Sequence, residues 1–367
     1  MEFNLQTLVR ENIKALKPYS SARHEFKGEA SVFLDANENS FGSPVSLPFP
    51  SAEGLGMGFN RYPDPLQWQL KFAIAKIKGV PAENIFIGNG SDEVIDLAYR
   101  IFCEPGKNNV IICPPTYGMY EVSANINDVG IRKVNLTEQF QLNTERILEA
   151  TDADTRMTFI CSPNNPSGNN MKRIDVELLL NNFHGIIIID EAYINFSKQK
   201  TFIQELTEYP NLVVMQTLSK AWGLASLRLG LAFASLDIID LFNKVKPPYN
   251  INQASQQLAL EALQNIQQVN HWIKEIVEQR KFLTEKLLDL SFVEKVYESD
   301  ANFLLVKVKD AVALYKHLSA NGIVVRNRSK EIMCENCLRI TIGTSAQNET
   351  LIKSLNFFTK EISNLNS

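Results

Sequence analysis

Short apolar runs alternate with stretches of helical periodicity through the first two thirds of the chain. Continuous apolar runs of this length are typical of strands buried on both faces of a parallel sheet. The runs are Val110–Cys113, Met157–Cys161, Ile186–Ile189, Leu212–Met215 and Leu229–Ala234. The helical stretches include Leu66–Ile77, Asp92–Phe102 and Ile174–Asn182. Strands that alternate with helices predict an α/β fold, a mostly parallel sheet flanked by helices.

The pattern changes after the proline-containing segment Lys246–Asn250. A long helical pattern runs from Gln253 to about Leu290, and a smaller α+β domain is predicted beyond it. Its predicted elements are the strands Phe303–Val308, Ile323–Arg326 and Leu338–Ile342 and a helix at Ala311–Ser319. The 367 residues suit two domains, at about 100–200 residues each. We expect a large domain over residues 35–250 and a small domain over 251–367 together with the N-terminal segment 1–34.

Composition narrows the functional classes. The net charge of −4 argues against a dominant nucleic-acid or membrane-surface role. No apolar run approaches the roughly 20 residues of a membrane span, and the start lacks a secretory pattern. The cytoplasm is therefore the expected location. Cys334 and Cys337 have the spacing of a metal or redox pair, but they lack a second pair and a nearby histidine, so we expect no metal site.

The segment Thr217–Arg228 follows a predicted strand and carries the strongest chemical signal. A lysine between small residues at a strand end, such as Lys220, can be held still and partly desolvated. Desolvation makes a lysine amine a usable nucleophile. Ser219 and Arg228 offer a phosphate group one neutral donor and one permanent cation. By itself, a Ser-Lys pair is more often an ordinary surface feature.

A second segment places Asp190 at the end of an apolar strand, where α/β proteins bind ligands. Its carboxylate suits the ring nitrogen of pyridoxal 5′-phosphate (PLP), which must stay protonated to act as an electron sink. Tyr193, three residues on, could donate to the ring oxygen. A strand followed by Asp also fits nucleotide-binding metal sites, but the chain lacks G-x-x-x-x-G-K-[ST].

Three further segments follow strands or open helices. In Cys161–Gly168 the Asn165 amide could donate to the same ring oxygen. Gly88–Glu93 precedes a helix whose free N–H groups could bind phosphate, although Ser91 or Asp92 could also serve as a helix cap. In Cys113–Tyr120 an aromatic side chain could stack on the ring. Each segment read alone is an ordinary turn, but together they can converge on one sheet edge.

With these motifs the sequence resembles fold-type I PLP enzymes of the aspartate aminotransferase superfamily, and more narrowly the histidinol-phosphate aminotransferase family. The resemblance covers nearly the whole chain. Besides the segments above, it rests on Pro18–Arg23, Leu34–Asn39, Arg61–Pro65, Ala301–Phe303, Gly322–Arg326 and Leu338–Thr344.

The resemblance implies a role for each matching residue. Lys220 would form the Schiff base with PLP, Asp190 would pair with the pyridinium, and Tyr117 would stack on the ring. Asn165 and Tyr193 would hold the phenolic oxygen. The residues expected around the phosphate are Ser91, Asp92, Ser219 and Arg228, with Tyr62 from the other subunit of a homodimer. Glu93 is also expected to bind the cofactor. The residues expected at the substrate are Arg339, Arg326, Tyr19 and Asn37.

The resemblance further implies amino-group exchange between L-glutamate and imidazole acetol phosphate, in histidine biosynthesis. Arg339 would bind the glutamate α-carboxylate and, with Arg326 and Tyr19, the phosphate of histidinol phosphate. An aromatic aminotransferase and a threonine-phosphate decarboxylase remain alternatives on the same scaffold. A transcription regulator would need an added DNA-binding domain, for which motifs that start near Pro18 leave no room.

Overall fold

A computed structural model describes the protein at residues 31–34, 37, 39, 41 and 63–365, and the structural statements below concern these residues. Two residues to which the resemblance gives a role, Tyr19 and Tyr62, lie outside the described residues.

The main sheet has seven strands in the order β2-β8-β7-β6-β5-β3-β4. The bounds are β2 (Ile85–Asn89), β3 (Asn109–Ile112), β4 (Gly130–Lys133), β5 (Thr155–Cys161), β6 (Ile186–Asp190), β7 (Leu212–Thr217) and β8 (Leu229–Ala234). Strands β3 to β7 are parallel to their neighbours within that set. The predicted α/β fold with a mostly parallel sheet is confirmed.

One prediction about this sheet was wrong. The run Leu229–Ala234 is a strand, but it pairs antiparallel with both neighbours, β7 and β2. The connection from Thr217 to Leu229 holds a short 3₁₀ turn at Ala225–Leu227 and no crossover helix. Because a parallel return needs a longer crossover, the chain turns back instead. This reversal places Arg228, at the start of β8, beside the carboxyl end of β7.

Helices cover both faces of the sheet. They are α1 (Trp68–Lys78), α2 (Ser91–Phe102), α3 (Met119–Ile126), α4 (Thr144–Glu149), α5 (Arg173–Asn182), α6 (Leu236–Val245), α7 (Gln253–Gln264), α8 (Ile266–Leu288), α9 (Ala311–Ala320) and α10 (Ser345–Leu365). Successive residues of β6 enter different cores: Ile187 and Ile189 belong to one cluster and Ile188 to the other. Alternation of this kind explains why the strand is apolar throughout. The single helical stretch expected from Gln253 is two helices, which meet at Asn265.

A second sheet, in the order β12-β13-β10-β9, is antiparallel throughout. Its strands are β9 (Val293–Val296), β10 (Phe303–Val308), β12 (Arg326–Asn327) and β13 (Cys337–Thr341). The strand predicted at Ile323–Arg326 is divided, because β11 (Ile323–Val324) instead pairs with β1 (Val32–Phe33). The β1–β11 pair joins the segment before residue 35 to the C-terminal part, as the predicted domain division requires; the division itself stays a prediction.

Within residues 63–365, no helix has both the length and the apolar character needed to cross a bilayer.

Candidate active site

A cavity of about 250 Å³ lies at the carboxyl edge of the parallel strands. β5, β6 and β7 end there at Cys161, Asp190 and Thr217. The cavity is lined by Ser91, Asp92, Tyr117, Cys161, Asn165, Asp190, Ala192, Tyr193, Thr217, Ser219, Lys220, Ala225 and Arg228. The structure therefore brings together residues from all five motifs that the sequence singled out.

One end of the cavity is rich in donors for an anion. Helix α2 begins at Ser91, directly after Gly90, whose φ is 79°. A Cβ at Gly90 would lie 2.5 Å from an Arg228 guanidinium nitrogen, so the turn and the arginine can be this close only with glycine there. Gly230 plays a similar part, since a Cβ there would lie 2.3 Å from the Ser91 backbone nitrogen. The helix N-terminus and the guanidinium thus face the same small space.

The side chains of Asp92 and Glu93 have different hydrogen-bond partners at this end of the cavity. The Asp92 carboxylate accepts a hydrogen bond from the Tyr117 hydroxyl at 3.0 Å and lies 3.4 Å from the Arg228 guanidinium. The Glu93 carboxylate is directed to the turn instead, where it accepts from the Asn89 N–H and from Asn250 at 2.9 Å. Glu93 does not line the cavity, so its side chain does not supply the cofactor contact that the resemblance implies.

The opposite end holds a buried carboxylate. Asp190 is 4% exposed and accepts hydrogen bonds from the Tyr120 hydroxyl at 2.6 Å and the Ala192 N–H at 3.0 Å. Burial raises the pKa of Asp190 above its ordinary value, while these two hydrogen bonds oppose the rise. A cation beside the carboxylate would further favour its charged form. This end of the cavity therefore suits a protonated ring nitrogen.

Lys220 also lines the cavity. Its Nζ lies 5.9 Å from the centre of the Tyr193 ring. The backbone around Lys220 forms a loop that is closed by a 3.0 Å hydrogen bond from the Leu224 N–H to the Leu218 carbonyl. The Asn39 side chain donates a second hydrogen bond, also 3.0 Å long, to the Ala221 carbonyl in this loop. Such a loop holds the lysine on a fixed base.

A family model described as "Aminotransferase class I and II" matches residues 31–355 of this chain. The chain belongs to this aminotransferase family. The histidinol-phosphate aminotransferase of Bacteroides thetaiotaomicron is 52% identical over 96% of this chain and 98% of its own length. That of Parabacteroides distasonis is 53% identical over the same shares. The family predicted from the sequence motifs is confirmed.

Solved structures agree on the fold. The histidinol-phosphate aminotransferase of Sinorhizobium meliloti, solved in complex with pyridoxal-5′-phosphate, matches with a TM-score of 0.83. The match covers 96% of this chain and 98% of that one at 21% identity. The enzyme of Clostridium acetobutylicum gives a TM-score of 0.82 at 23% identity, over 90% and 100% of the two chains. These matches confirm the predicted fold type.

The second sheet of this aminotransferase and the nearby residue Asn37 each donate one hydrogen bond to a residue that lines the cavity. Arg339, 7% exposed on β13, donates from Nη1 to Oδ1 of Asn165 at 2.7 Å. Because Asn165 accepts with its oxygen, its amide NH₂ remains available as a donor. Asn37 donates from Nδ2 to the Tyr193 hydroxyl at 3.2 Å. Asn165 and Tyr193 are the two residues expected to hold the ring oxygen.

Three residues expected at the substrate, Asn37, Arg326 and Arg339, are not part of the cavity lining. Arg326 and Arg339 are direct cross-strand partners on β12 and β13, so their side chains leave the same face of the sheet as neighbours. Asn37 is 1% exposed and does not line the cavity. It lies one hydrogen bond away, behind Tyr193.

Sequence reasoning missed several residues. Thr217, Cys161, Ala192 and Ala225 line the cavity because they are neighbours of motif residues at strand ends. Tyr120 was missed although it touches Asp190. The available signal was its position, because Tyr120 lies three residues after Tyr117 in the same segment, Cys113–Tyr120.

Proposed function

We propose that this chain is a PLP-dependent aminotransferase that exchanges an amino group between L-glutamate and imidazole acetol phosphate, to give 2-oxoglutarate and L-histidinol phosphate in histidine biosynthesis. This choice of reaction rests on one observation: the chain has 52% and 53% sequence identity, over nearly its full length, with two relatives named histidinol-phosphate aminotransferase. The cavity geometry supports the chemistry.

The side chains fit the cofactor at both of its polar ends. Ser91, Ser219 and Arg228 would hold the phosphate where the α2 N–H groups point, and Asp190 would hold the ring nitrogen. Asn165 and Tyr193 would donate to the ring oxygen. When bound, PLP supplies an electron sink for the charge left after a substrate Cα loses its proton.

The chain's own groups divide the remaining work. The Lys220 amine would bind the cofactor covalently and, once released, would take the proton from the substrate Cα and deliver it to carbon C4′ of the cofactor. Asp190 would keep the ring nitrogen charged, since a buried carboxylate strongly favours a cation beside it. The protein loops around the cavity would exclude water from these steps.

Arg326 and Arg339 would form one anion site that both substrates use in turn. Their pairing in adjacent strands supports this, because two cations at neighbouring positions suit a dianionic phosphate. Arg339 alone would hold the glutamate α-carboxylate. Tyr19 would join the phosphate contact.

We further propose that the enzyme is a homodimer in which Tyr62 reaches the partner's cofactor phosphate. Helix α1, which begins six residues after Tyr62, carries a stacked aromatic pair, Trp68 and Phe72, whose ring centres lie 5.7 Å apart. Trp68 is half-buried and Phe72 is 58% exposed. Exposed apolar groups of this kind suit an interface.

We also propose that the enzyme works in the cytoplasm. All five cysteines are free thiols, which suits that location.

The test of the function is a set of paired assays on one purified sample. Glutamate with imidazole acetol phosphate should react far faster than glutamate with phenylpyruvate. Threonine phosphate should release no carbon dioxide. Preference for phenylpyruvate would favour an aromatic aminotransferase, and carbon dioxide release would favour a decarboxylase.

A further inference from the structure

Asn37 is a buried residue in left-handed backbone conformation that joins the two sheets. Its φ is 54° and it is 1% exposed. Its N–H donates to Thr341 Oγ1 at 3.1 Å, and its carbonyl accepts from Asn302 Nδ2 at 2.9 Å. Its side-chain oxygen accepts from Thr341 Oγ1 at 2.9 Å, and its Nδ2 donates to the Tyr193 hydroxyl at 3.2 Å. Each polar atom of Asn37 therefore has a partner.

These contacts fix the direction of the last hydrogen bond. A threonine hydroxyl has one proton and two lone pairs. Thr341 Oγ1 accepts from the Asn37 N–H and donates its own proton to the Asn37 side-chain oxygen. The amide oxygen is thereby held toward Thr341, and the NH₂ group must face Tyr193. Thr341 itself is held in β13 opposite Phe303.

The consequence appears at Tyr193, whose phenol lines the cavity. A phenol also has a single proton. Since the phenol oxygen accepts from Asn37, that proton is left for an acceptor on the cavity side. Burial raises the pKa of Tyr193, so the phenol stays protonated and acts as a donor.

We infer that Asn37 is a positioning residue, which turns the Tyr193 proton toward the ring oxygen of the cofactor, rather than a residue that touches substrate. The inference rests on the proposed function, because PLP provides that oxygen. Asn37 thus differs from Arg326 and Arg339, which would bind the substrate itself.

Replacing Asn37 with aspartate keeps the shape but exchanges the donor for an acceptor. The introduced carboxylate would draw the Tyr193 proton away from the cavity. A hydrogen bond to the ring oxygen favours its anionic form, so losing this bond raises the apparent pKa of the bound cofactor. A pH titration of the cofactor absorbance should show this pKa rising by about one unit or more in N37D. In N37A, which removes the donor without supplying an acceptor, the rise should be smaller. A merely structural role would give N37A at least as large an effect.

The Tyr193→Phe background separates the hydrogen bond from the added charge. N37D should shift the pKa less in Y193F than in the wild-type protein, since no phenol proton remains to be redirected. Equal shifts in both backgrounds, or no shift in wild type, would overturn the inference. If N37D fails to fold, Thr341→Val removes the hydroxyl that fixes the amide and should raise the pKa in the same direction; an unchanged pKa there would also overturn it. A wild-type protein that takes up no PLP would instead overturn the proposed function, and this inference with it.

Discussion

The two walls of the cavity are built in different ways. The first wall, which would hold the cofactor, is made by loops at one edge of a single sheet. These loops supply Ser91, Asp190 and Lys220 within a few residues of strand ends. The second wall, which we propose to face the substrate, is made by side chains of the second sheet and by Asn37. It contacts the cavity lining where Arg339 donates to Asn165 and Asn37 donates to Tyr193.

This difference separates the residues that would carry out the chemistry from the residues that would select the substrate. Groups fixed at the edge of a buried sheet can hold the cofactor and move protons whatever the substrate is. Groups on the second sheet would decide which anions are accepted. Substitutions in the first wall should therefore reduce the rate for all substrates, whereas substitutions in the second should distinguish between them.

The largest effect is expected at the centre of the first wall. Lys220→Ala should lower turnover by at least about 10³-fold with either substrate, because the proton carrier is lost. Steady-state assays in both directions measure this. The exposed residue Lys198 offers a control, since Lys198→Ala should leave turnover unchanged. Near-normal turnover in the Lys220 variant would remove the lysine from the mechanism.

Asp190→Asn should slow the half-reaction with glutamate by about 10²-fold or more, since the loss of one preorganised electrostatic partner typically lowers the rate by about 10²–10³-fold. Single-turnover absorbance measures the rate. Glu191→Gln is the matched control: this neighbouring carboxylate is also buried, but it bonds to Thr201, Phe202 and Gln216. If both variants slow the reaction equally, the position of Asp190 at the cavity has no special role.

The second wall should separate the substrates. Arg339→Ala should weaken glutamate and histidinol phosphate together, whereas Arg326→Ala should weaken mainly the phosphate substrate. A charge-assisted hydrogen bond contributes about 1.5–3 kcal/mol, or roughly a 10- to 150-fold change in affinity. Ligand titrations of the bound cofactor's absorbance measure both affinities, with the exposed arginine of the Arg100–Asp96 pair as a control position. Unchanged affinity for both ligands in both variants would rule out a shared anion site.

A smaller effect is expected from Tyr120→Phe. The Tyr120 hydrogen bond lowers the pKa of Asp190 against the effect of burial. Without it the pKa of Asp190 rises further, so the carboxylate is protonated at a higher pH as the solution is acidified. The acidic limb of the kcat/KM profile should therefore move to higher pH. Tyr99→Phe is the control, because that hydroxyl donates to a backbone carbonyl instead; an equal movement there would contradict the assignment.

The sequence was informative about the first wall and much less so about the second. Strand-end motifs predicted which residues gather at the cavity, because the carboxyl ends of parallel strands share one edge. The direction of β8 was predicted wrongly, since an apolar run has the same pattern in a parallel and an antiparallel strand. The Arg339–Asn165 contact joins residues 174 positions apart, and no local pattern encodes such a distance. Tyr120 lies in the strand-end segment Cys113–Tyr120, but its spacing from Tyr117 did not by itself distinguish it from a core tyrosine.

The most direct test of the central claim follows one amino group on the PLP-loaded enzyme. Histidinol phosphate alone should shift the cofactor absorbance and release one equivalent of imidazole acetol phosphate per active site. Adding 2-oxoglutarate should then restore the original spectrum and release glutamate. An enzyme that binds PLP but gives no ketone product from histidinol phosphate would contradict the account.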